Sequence, residues 1–138
     1  NFTSQYVKEV NMNYIFKNAD FVSLHTPLSQ ETKNLVNSTF INSFKKSFFL
    51  VNTARGQSVV LKDLLKALEN EKIKGACLDV LALESPSFEK FSYVDDPIFK
   101  SLSQYKNIIF TPHIAGWTHE SKEKMACVIL DKIRNMNK

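Results

Sequence analysis

Four short, almost uninterrupted apolar runs constrain the fold of this chain more than any other feature of its sequence. They are DFVSL (20–24), SFFLV (47–51), GACLDV (75–80) and NIIFT (107–111). A strand that is apolar nearly throughout is typical of a parallel sheet whose two faces are covered by other elements. Parallel strands cannot be joined by a tight hairpin, so the long segments between the runs are expected to hold crossover helices.

Apolar periodicity in the intervening segments indicates those helices. Leu61, Leu64, Leu65 and Leu68 fall at i, i+3, i+4 and i+7, which forms one helical stripe. Shorter helices are predicted over 37–44 and over 97–103, the latter with Pro97 in its first turn. A long amphipathic helix is predicted over 118–134, with its apolar side formed by Met125, Val128, Ile129, Ile133 and Met136. Alternating strands and helices predict an α/β fold with a doubly wound parallel sheet.

Composition limits the classes of protein to which the chain can belong. Its 138 residues fit a single core, and 43% hydrophobic with 23% charged residues is typical of a globular protein. No apolar stretch approaches a membrane span and no secretory signal opens the sequence, so a cytoplasmic location without membrane contact is predicted. The net charge of +4 comes from scattered lysines, which favours solvated helix faces over a nucleic-acid partner.

The two cysteines do not suggest a metal site. Cys77 lies in a strand-like run and Cys127 on a helix-like face, and neither has neighbours at metal-ligand or redox-motif spacing. Both are therefore predicted to be core thiols, and no metal is expected.

Polar residues follow each of the four apolar runs, where a parallel α/β sheet places its ligands. The segments are HTPL (25–28), NTARG (52–56), LDVLALES (78–85) and TPHIAG (111–116). They bring Arg55, Asp79, Glu84 and His113 toward one edge. Each residue alone has an ordinary interpretation, such as a surface salt bridge for the arginine or a turn cap for the histidine. A carboxylate inside an apolar run, as at Asp79, is costly unless it is hydrogen-bonded.

The combination of side chains is more informative than any member. An arginine can hold a carboxylate through two parallel hydrogen bonds. A histidine can accept or return a hydroxyl proton near neutral pH, and a neighbouring glutamate would orient the ring and favour its charged form. Together these groups could catalyse the reversible oxidation of a 2-hydroxy acid by hydride transfer to a cofactor.

The ordered motifs DFVSLHTPLSQETKNLVN, FFLVNTARGQSVV, IKGACLDV and IIFTPHIAG closely resemble a known family. It is the NAD-binding domain of the D-isomer-specific 2-hydroxyacid dehydrogenases, which include the phosphoglycerate dehydrogenases, and the resemblance runs from about 18 to 134. It implies part of a Rossmann-like sheet, NAD as cofactor with NADP not excluded, and a small 2-hydroxy or 2-oxo acid as substrate. The segment AGWTHESKEK is slightly closer to phosphoglycerate dehydrogenases, so a 3-phosphoglycerate-like acid is among the expected substrates. The resemblance also implies a homodimer.

The resemblance assigns roles to individual residues. Arg55 is expected to bind the substrate carboxylate and carbonyl, His113 to act as acid and base, and Glu84 to pair with His113. Asp79 is expected to contact the nicotinamide carboxamide. The residues expected to line the cofactor are Thr26, Pro27, Thr53, Ala54, Arg55, Asp79, His113, Ala115 and Gly116. A side chain at Gly56 is expected to crowd the turn that aims Arg55.

One family motif, the phosphate-binding G-x-G-x-x-G turn, does not occur in this sequence. The three glycines are Gly56, Gly75 and Gly116. Residues 1–138 are therefore expected to be the C-terminal part of the NAD-binding domain, with the start of the helix that leads back to the substrate domain. The chain alone is expected to bind NAD weakly, to lack activity and to self-associate through exposed apolar surface. The alternative to an enzyme is a non-enzymatic, NAD-sensing dimeric scaffold, as in corepressors that resemble this family.

Overall fold

A parallel four-stranded sheet organises the chain. The computed structural model describes residues 4–82 and 95–136. Its strands are β1 (Phe21–Leu24), β2 (Phe48–Asn52), β3 (Ile73–Leu78) and β4 (Ile108–Phe110), and they pair in the order β1-β2-β3-β4. Every pairing is parallel. The α/β class and the parallel sheet predicted from the four apolar runs are confirmed, and each strand begins and ends within two residues of its run.

Five α-helices accompany these strands in the described residues: α1 (Met12–Asn18), α2 (Ser38–Ser43), α3 (Leu61–Glu69), α4 (Pro97–Leu102) and α5 (His119–Met136). Three of them begin at a side-chain cap that satisfies a free backbone N–H group. Asn11 caps α1, Asn37 caps α2, and Asp96 caps α4. The sequence predicted α2 to α5, whereas α1, which has no long apolar stripe, was missed.

The hydrophobic core lies against one face of the sheet. Phe48 and Leu50 of β2 are fully buried there, together with Leu64 of α3 and Leu102 of α4. Phe44, just after α2, stacks on Phe48 with ring centroids 4.0 Å apart. Helices α2, α3 and α4 thus shield this face, and the leucine stripe predicted for α3 is the side that packs.

The opposite face of the sheet remains accessible in the described part of the chain. Phe21 of β1 and Ile109 of β4 are 68% and 58% exposed. Phe49 stacks on Phe21 with ring centroids 4.9 Å apart. These side chains provide exposed apolar surface of the kind expected from the sequence, and self-association through it stays a prediction.

Helix α5 also carries exposed apolar side chains. Met125, Val128, Ile129 and Ile133 form the predicted stripe, yet each is about half exposed. The prediction that both cysteines are core thiols is wrong for Cys127, because α5 buries none of its residues and the thiol is exposed. Cys77 is partly buried. No helix of the described residues combines the length and the apolar character needed to cross a membrane.

Candidate active site

The four strands end side by side at one edge of the sheet. Leu24 pairs with Asn52, Asn52 with Leu78, and Leu78 with Phe110, so the last residues of all four strands form a single row. The segments that follow the strands therefore start together. We call this the carboxyl edge of the sheet, the place where parallel α/β proteins bind ligands.

The turn that carries Arg55 is held by a buried asparagine at the end of β2. Asn52 has no exposed surface, and its Oδ1 accepts a hydrogen bond from the Ala54 N–H (3.1 Å). Its Nδ2 donates to the Arg55 carbonyl oxygen (2.9 Å). Both ends of one amide therefore fix the Asn52–Arg55 turn from within. The motif search singled out the arginine and missed this asparagine, although a polar residue that closes an apolar strand was a usable signal.

The Arg55 side chain itself lies at the surface. Its Nη1 donates to the Ala54 carbonyl oxygen (2.7 Å), and its backbone is extended. Because a guanidinium has five N–H donors, this bond leaves donors for a bidentate contact with a carboxylate.

Asp79 holds the second turn of the candidate site, which follows β4. Its carboxylate accepts hydrogen bonds from Thr111 Oγ1 (2.5 Å), the Ile114 N–H (2.9 Å) and the Ala115 N–H (3.0 Å). Its backbone carbonyl oxygen accepts the His113 N–H (2.9 Å). His113 is in the left-handed region with φ 56°, which is uncommon for a residue other than glycine. The bonds to Asp79 surround His113 on both sides and thereby stabilise this backbone conformation.

The bonds to Asp79 also set its charge. Burial by itself raises the pKa of this carboxyl group, which is only 4% exposed. The bonds from Thr111, Ala115 and Ile114, with the nearby charge of His113, outweigh burial, so the pKa of Asp79 lies below its ordinary value. Asp79 is therefore ionised at neutral pH.

Replacing Asp79 with asparagine is expected to destabilise the fold by about 1–3 kcal/mol at pH 7, because an NH₂ group would then face a backbone N–H donor. The native carboxylate has a lower pKa folded than unfolded, so its stabilising contribution is present above the ordinary pKa of 3.8. That contribution is lost as the pH falls through the lower folded value. The free energy of unfolding should thus differ between the two proteins at pH 7 and converge in strong acid. The same substitution at the exposed Asp95 is the control. An equal loss of unfolding free energy at Asp95 would contradict the stabilising role of the Asp79 hydrogen bonds.

Gly56 is under a steric constraint that the sequence did not indicate. A side chain there would overlap the Leu81 carbonyl group and the Ala82 nitrogen, which belong to the segment after β3. Crowding of the Arg55 turn itself stays a prediction. The φ of Gly56 is not positive, so the constraint is purely steric. The Arg55 turn and the segment after β3 are therefore in direct backbone contact.

The other predicted residues are distributed around the same edge. Thr26 and Pro27 are exposed after β1, and Ala115 and Gly116 are exposed after His113. Thr53 is partly buried and Ala54 is buried in the core cluster, so Ala54 offers mainly its backbone to a ligand. Glu84 lies outside the described residues. The structure thus joins Asp79 directly to the His113 turn and places Arg55 on the neighbouring strand end.

A separate cleft of about 440 Å³ lies between α2 and α3, lined by residues that include Ser38, Asp63 and Lys72. It contains none of the predicted site residues. Its polar side chains belong to exposed or half-buried surface positions, and the Lys72 Nζ already donates to the Phe44 carbonyl oxygen (2.6 Å). The carboxyl edge, which carries both an arginine and a histidine, remains the stronger candidate for chemistry.

Comparison of the chain with known protein families finds one family that matches most of its sequence. The family described as D-isomer specific 2-hydroxyacid dehydrogenase, NAD binding domain, matches residues 1–115. The chain belongs to this family. Arg55, Asp79 and His113 all lie within the matched residues, so the carboxyl edge described above is part of a 2-hydroxyacid dehydrogenase NAD-binding domain.

Individual dehydrogenases and reductases are also similar to this chain in sequence and structure. A D-lactate dehydrogenase from Treponema pallidum is 34% identical over 130 residues, which are 92% of this chain and 39% of that protein. A glyoxylate reductase from Thermococcus litoralis is 38% identical over 117 residues. The NAD-complexed 2-hydroxyacid dehydrogenase from Lactobacillus delbrueckii ssp. bulgaricus has 35% identity and a TM-score of 0.76, covering 93% of this chain and 40% of that one. The chain thus spans about a third to two fifths of the length of these relatives. The likeness confirms the Rossmann-like fold.

Proposed function

We propose that this chain contributes the catalytic edge of an NAD-dependent oxidoreductase that interconverts a small D-2-hydroxy acid and its 2-oxo acid. One observation carries the proposal: Arg55 and the His113 turn leave strand ends on either side of β3, and the buried Asp79 between them fixes the turn. The family membership of residues 1–115 supports the same chemistry. Residues 1–138 would then form the C-terminal part of the NAD-binding domain of a longer enzyme.

The described residues fit the nicotinamide end of NAD. A methyl group added to Gly116 would meet nothing within 4 Å, so the edge beside His113 is open and sterically undemanding. Three bonds occupy the Asp79 carboxylate, which has about four acceptor positions, and one position is left for an amide donor. Thr26, Pro27, Thr53, Ala54, Ala115 and Gly116 would complete this part of the site. The sequence supplies no glycine-rich turn for the diphosphate, and NAD rather than NADP is favoured by the family alone.

In the proposed reaction, bound NAD supplies the hydride acceptor for oxidation of the alcohol. The His113 imidazole accepts the proton of the substrate hydroxyl group and returns it during reduction of the 2-oxo acid. The Arg55 guanidinium binds the substrate carboxylate and polarises the carbonyl oxygen as it forms. Glu84 stabilises the charged form of His113. Asp79 keeps His113 in its strained backbone conformation.

The substrate is proposed at the level of a class. Relatives named D-lactate dehydrogenase, hydroxypyruvate reductase and glyoxylate reductase use acids with small side chains, as their names state. The 3-phosphoglycerate-like substrate suggested by AGWTHESKEK has weaker support and is kept as one member of the panel below. A homodimer is proposed on the family resemblance, and a cytoplasmic location stays a prediction from the sequence.

The test is a turnover assay of the purified gene product that contains this chain. Loss of NADH absorbance is followed with pyruvate, glyoxylate, hydroxypyruvate and 3-phosphohydroxypyruvate. Turnover with at least one of these acids is the expected result. Tight binding of NADH without turnover of any acid would contradict the enzyme and favour the NAD-sensing scaffold.

A further inference from the structure

The contact between Gly56 and the segment after β3 joins two parts of the carboxyl edge. Gly56 directly follows Arg55, while Leu81 and Ala82 come directly after Asp79 and Val80 in the chain. The missing side chain of Gly56 allows the Leu81–Ala82 peptide to rest against the backbone of the Arg55 turn. Any larger residue would force one of the two segments to move, because the obstructing atoms are backbone atoms.

Neither segment has obvious room to move away. The residues that follow Gly56 are bonded to a neighbouring segment through Asn34 N–H to the Gln57 carbonyl (2.9 Å) and Val36 N–H to the Ser58 carbonyl (2.9 Å). On the other side, the Leu81 side chain is 7% exposed and belongs to the core cluster. The Arg55 end of the turn is therefore the part that must adjust, at the expense of its hydrogen bonds to the Asn52 amide.

We infer that Gly56 is a positioning residue, which sets the location of the Arg55 guanidinium by keeping the Arg55 turn in contact with the Leu81–Ala82 peptide. The inference rests on the proposed role of Arg55 in binding the substrate carboxylate. It extends that role by making the segment after β3, two residues before Glu84, the surface against which Arg55 is placed.

Gly75 offers a matched control for the steric argument. A methyl group at Gly75 would lie 2.6 Å from the Asn107 carbonyl oxygen and 3.3 Å from the Phe49 ring, so Gly75→Ala is also destabilising. Gly75 lies within β3, away from the carboxyl edge. It therefore reports what a crowded glycine does to stability without displacing the Arg55 turn.

The first experiment compares Gly56→Ala and Gly75→Ala in the gene product that contains this chain. Gly56→Ala is expected to lower kcat/KM about 100-fold, the scale of a misplacement of about 1 Å in an active site. It should also weaken binding of oxamate, a 2-oxo acid analogue that cannot be reduced. Gly75→Ala should lower the unfolding temperature while its folded fraction retains near wild-type kcat/KM. Equal kinetic losses in the two variants would overturn the inference.

The second experiment does not depend on turnover. Arg55 and Arg134 are the only arginines of the sequence, so phenylglyoxal labelling followed by mass spectrometry reports Arg55 with Arg134 as internal reference. Loss of the bond between Arg55 and the Ala54 carbonyl in Gly56→Ala should raise the relative labelling of Arg55 about two- to tenfold. An unchanged labelling ratio would overturn the inference. If wild-type protein shows no turnover but the ratio rises, the positioning role stands and only the proposed reaction fails.

If Gly56→Ala does not fold, a second variant that adds no side-chain volume tests the same inference. Leu81→Val shortens the side chain that anchors the peptide against Gly56, and is expected to raise the Arg55 labelling ratio in the same direction. An unchanged ratio in folded Leu81→Val would equally count against the inference.

Discussion

Replacing His113 with glutamine is expected to lower kcat of the 2-oxo acid reduction by about 10²- to 10⁴-fold, the usual contribution of a general acid or base. Glutamine can hydrogen-bond to the substrate oxygen but cannot deliver a proton near neutral pH. The KM for the acid should change little, because the carboxylate contact to Arg55 is retained. Steady-state kinetics with the best acid of the panel measures both constants.

His119 provides the control for the His113 measurement. It is exposed at the first position of α5 and belongs to no part of the proposed site. His119→Gln should therefore behave as wild type. Near-normal turnover of His113→Gln, in protein whose unfolding transition is unchanged, would remove the histidine from the mechanism.

Replacing Arg55 with alanine is expected to raise KM and to lower kcat, so that kcat/KM falls on the order of 10²- to 10⁴-fold. This range corresponds to two charge-assisted hydrogen bonds of about 1.5–3 kcal/mol each. Arg55→Lys keeps the charge but loses the bidentate geometry and should lie between alanine and wild type. The fold should be little affected, because the guanidinium is exposed and its only hydrogen bond within the described residues goes to the adjacent Ala54 carbonyl.

Arg134 supplies the matched control for the arginine. It lies in the last turn of α5, where Nη1 is 3.9 Å from Asp131 Oδ1 at the surface. Arg134→Ala removes the same charge from the protein and should leave kcat/KM unchanged. A similar loss in both variants would point to a general electrostatic effect and not to a carboxylate-binding site.

Much of the fold could be predicted because its signals are local in sequence. Each apolar run is continuous, and the proline and capping residues that start α4 and α2 lie beside them. Helix α1 was missed because only Ile15 and Phe16 of its residues pack against the core, which leaves no apolar stripe. Its cap, Asn11, was the one local signal.

The site was predictable only in part, for a related reason. Motif spacing identified Arg55, Asp79 and His113, and strand ends brought them to one edge. The hydrogen bonds of Asn52 left only one signal, a polar residue at the end of an apolar strand, and the contact between Gly56 and Leu81 left none. Both depend on which backbone atoms meet in space, and Gly56 and Leu81 belong to different strand ends. Spacing within a motif carries no information about such contacts.

The order of the strands bears on how this chain reaches its native state. Residues paired across the sheet are 25 to 32 positions apart in the chain, as in Phe21 with Phe49 and Ala76 with Ile108. Pairing of two strands therefore closes a large loop of the chain. The chain loses conformational entropy in that closure before the hydrogen bonds of the pair can compensate for it. High contact order of this kind slows folding relative to a helical bundle of equal length. The rate-limiting event is thus expected to be the closure of these ladders, with the phenylalanine-rich β2 unshielded until they form.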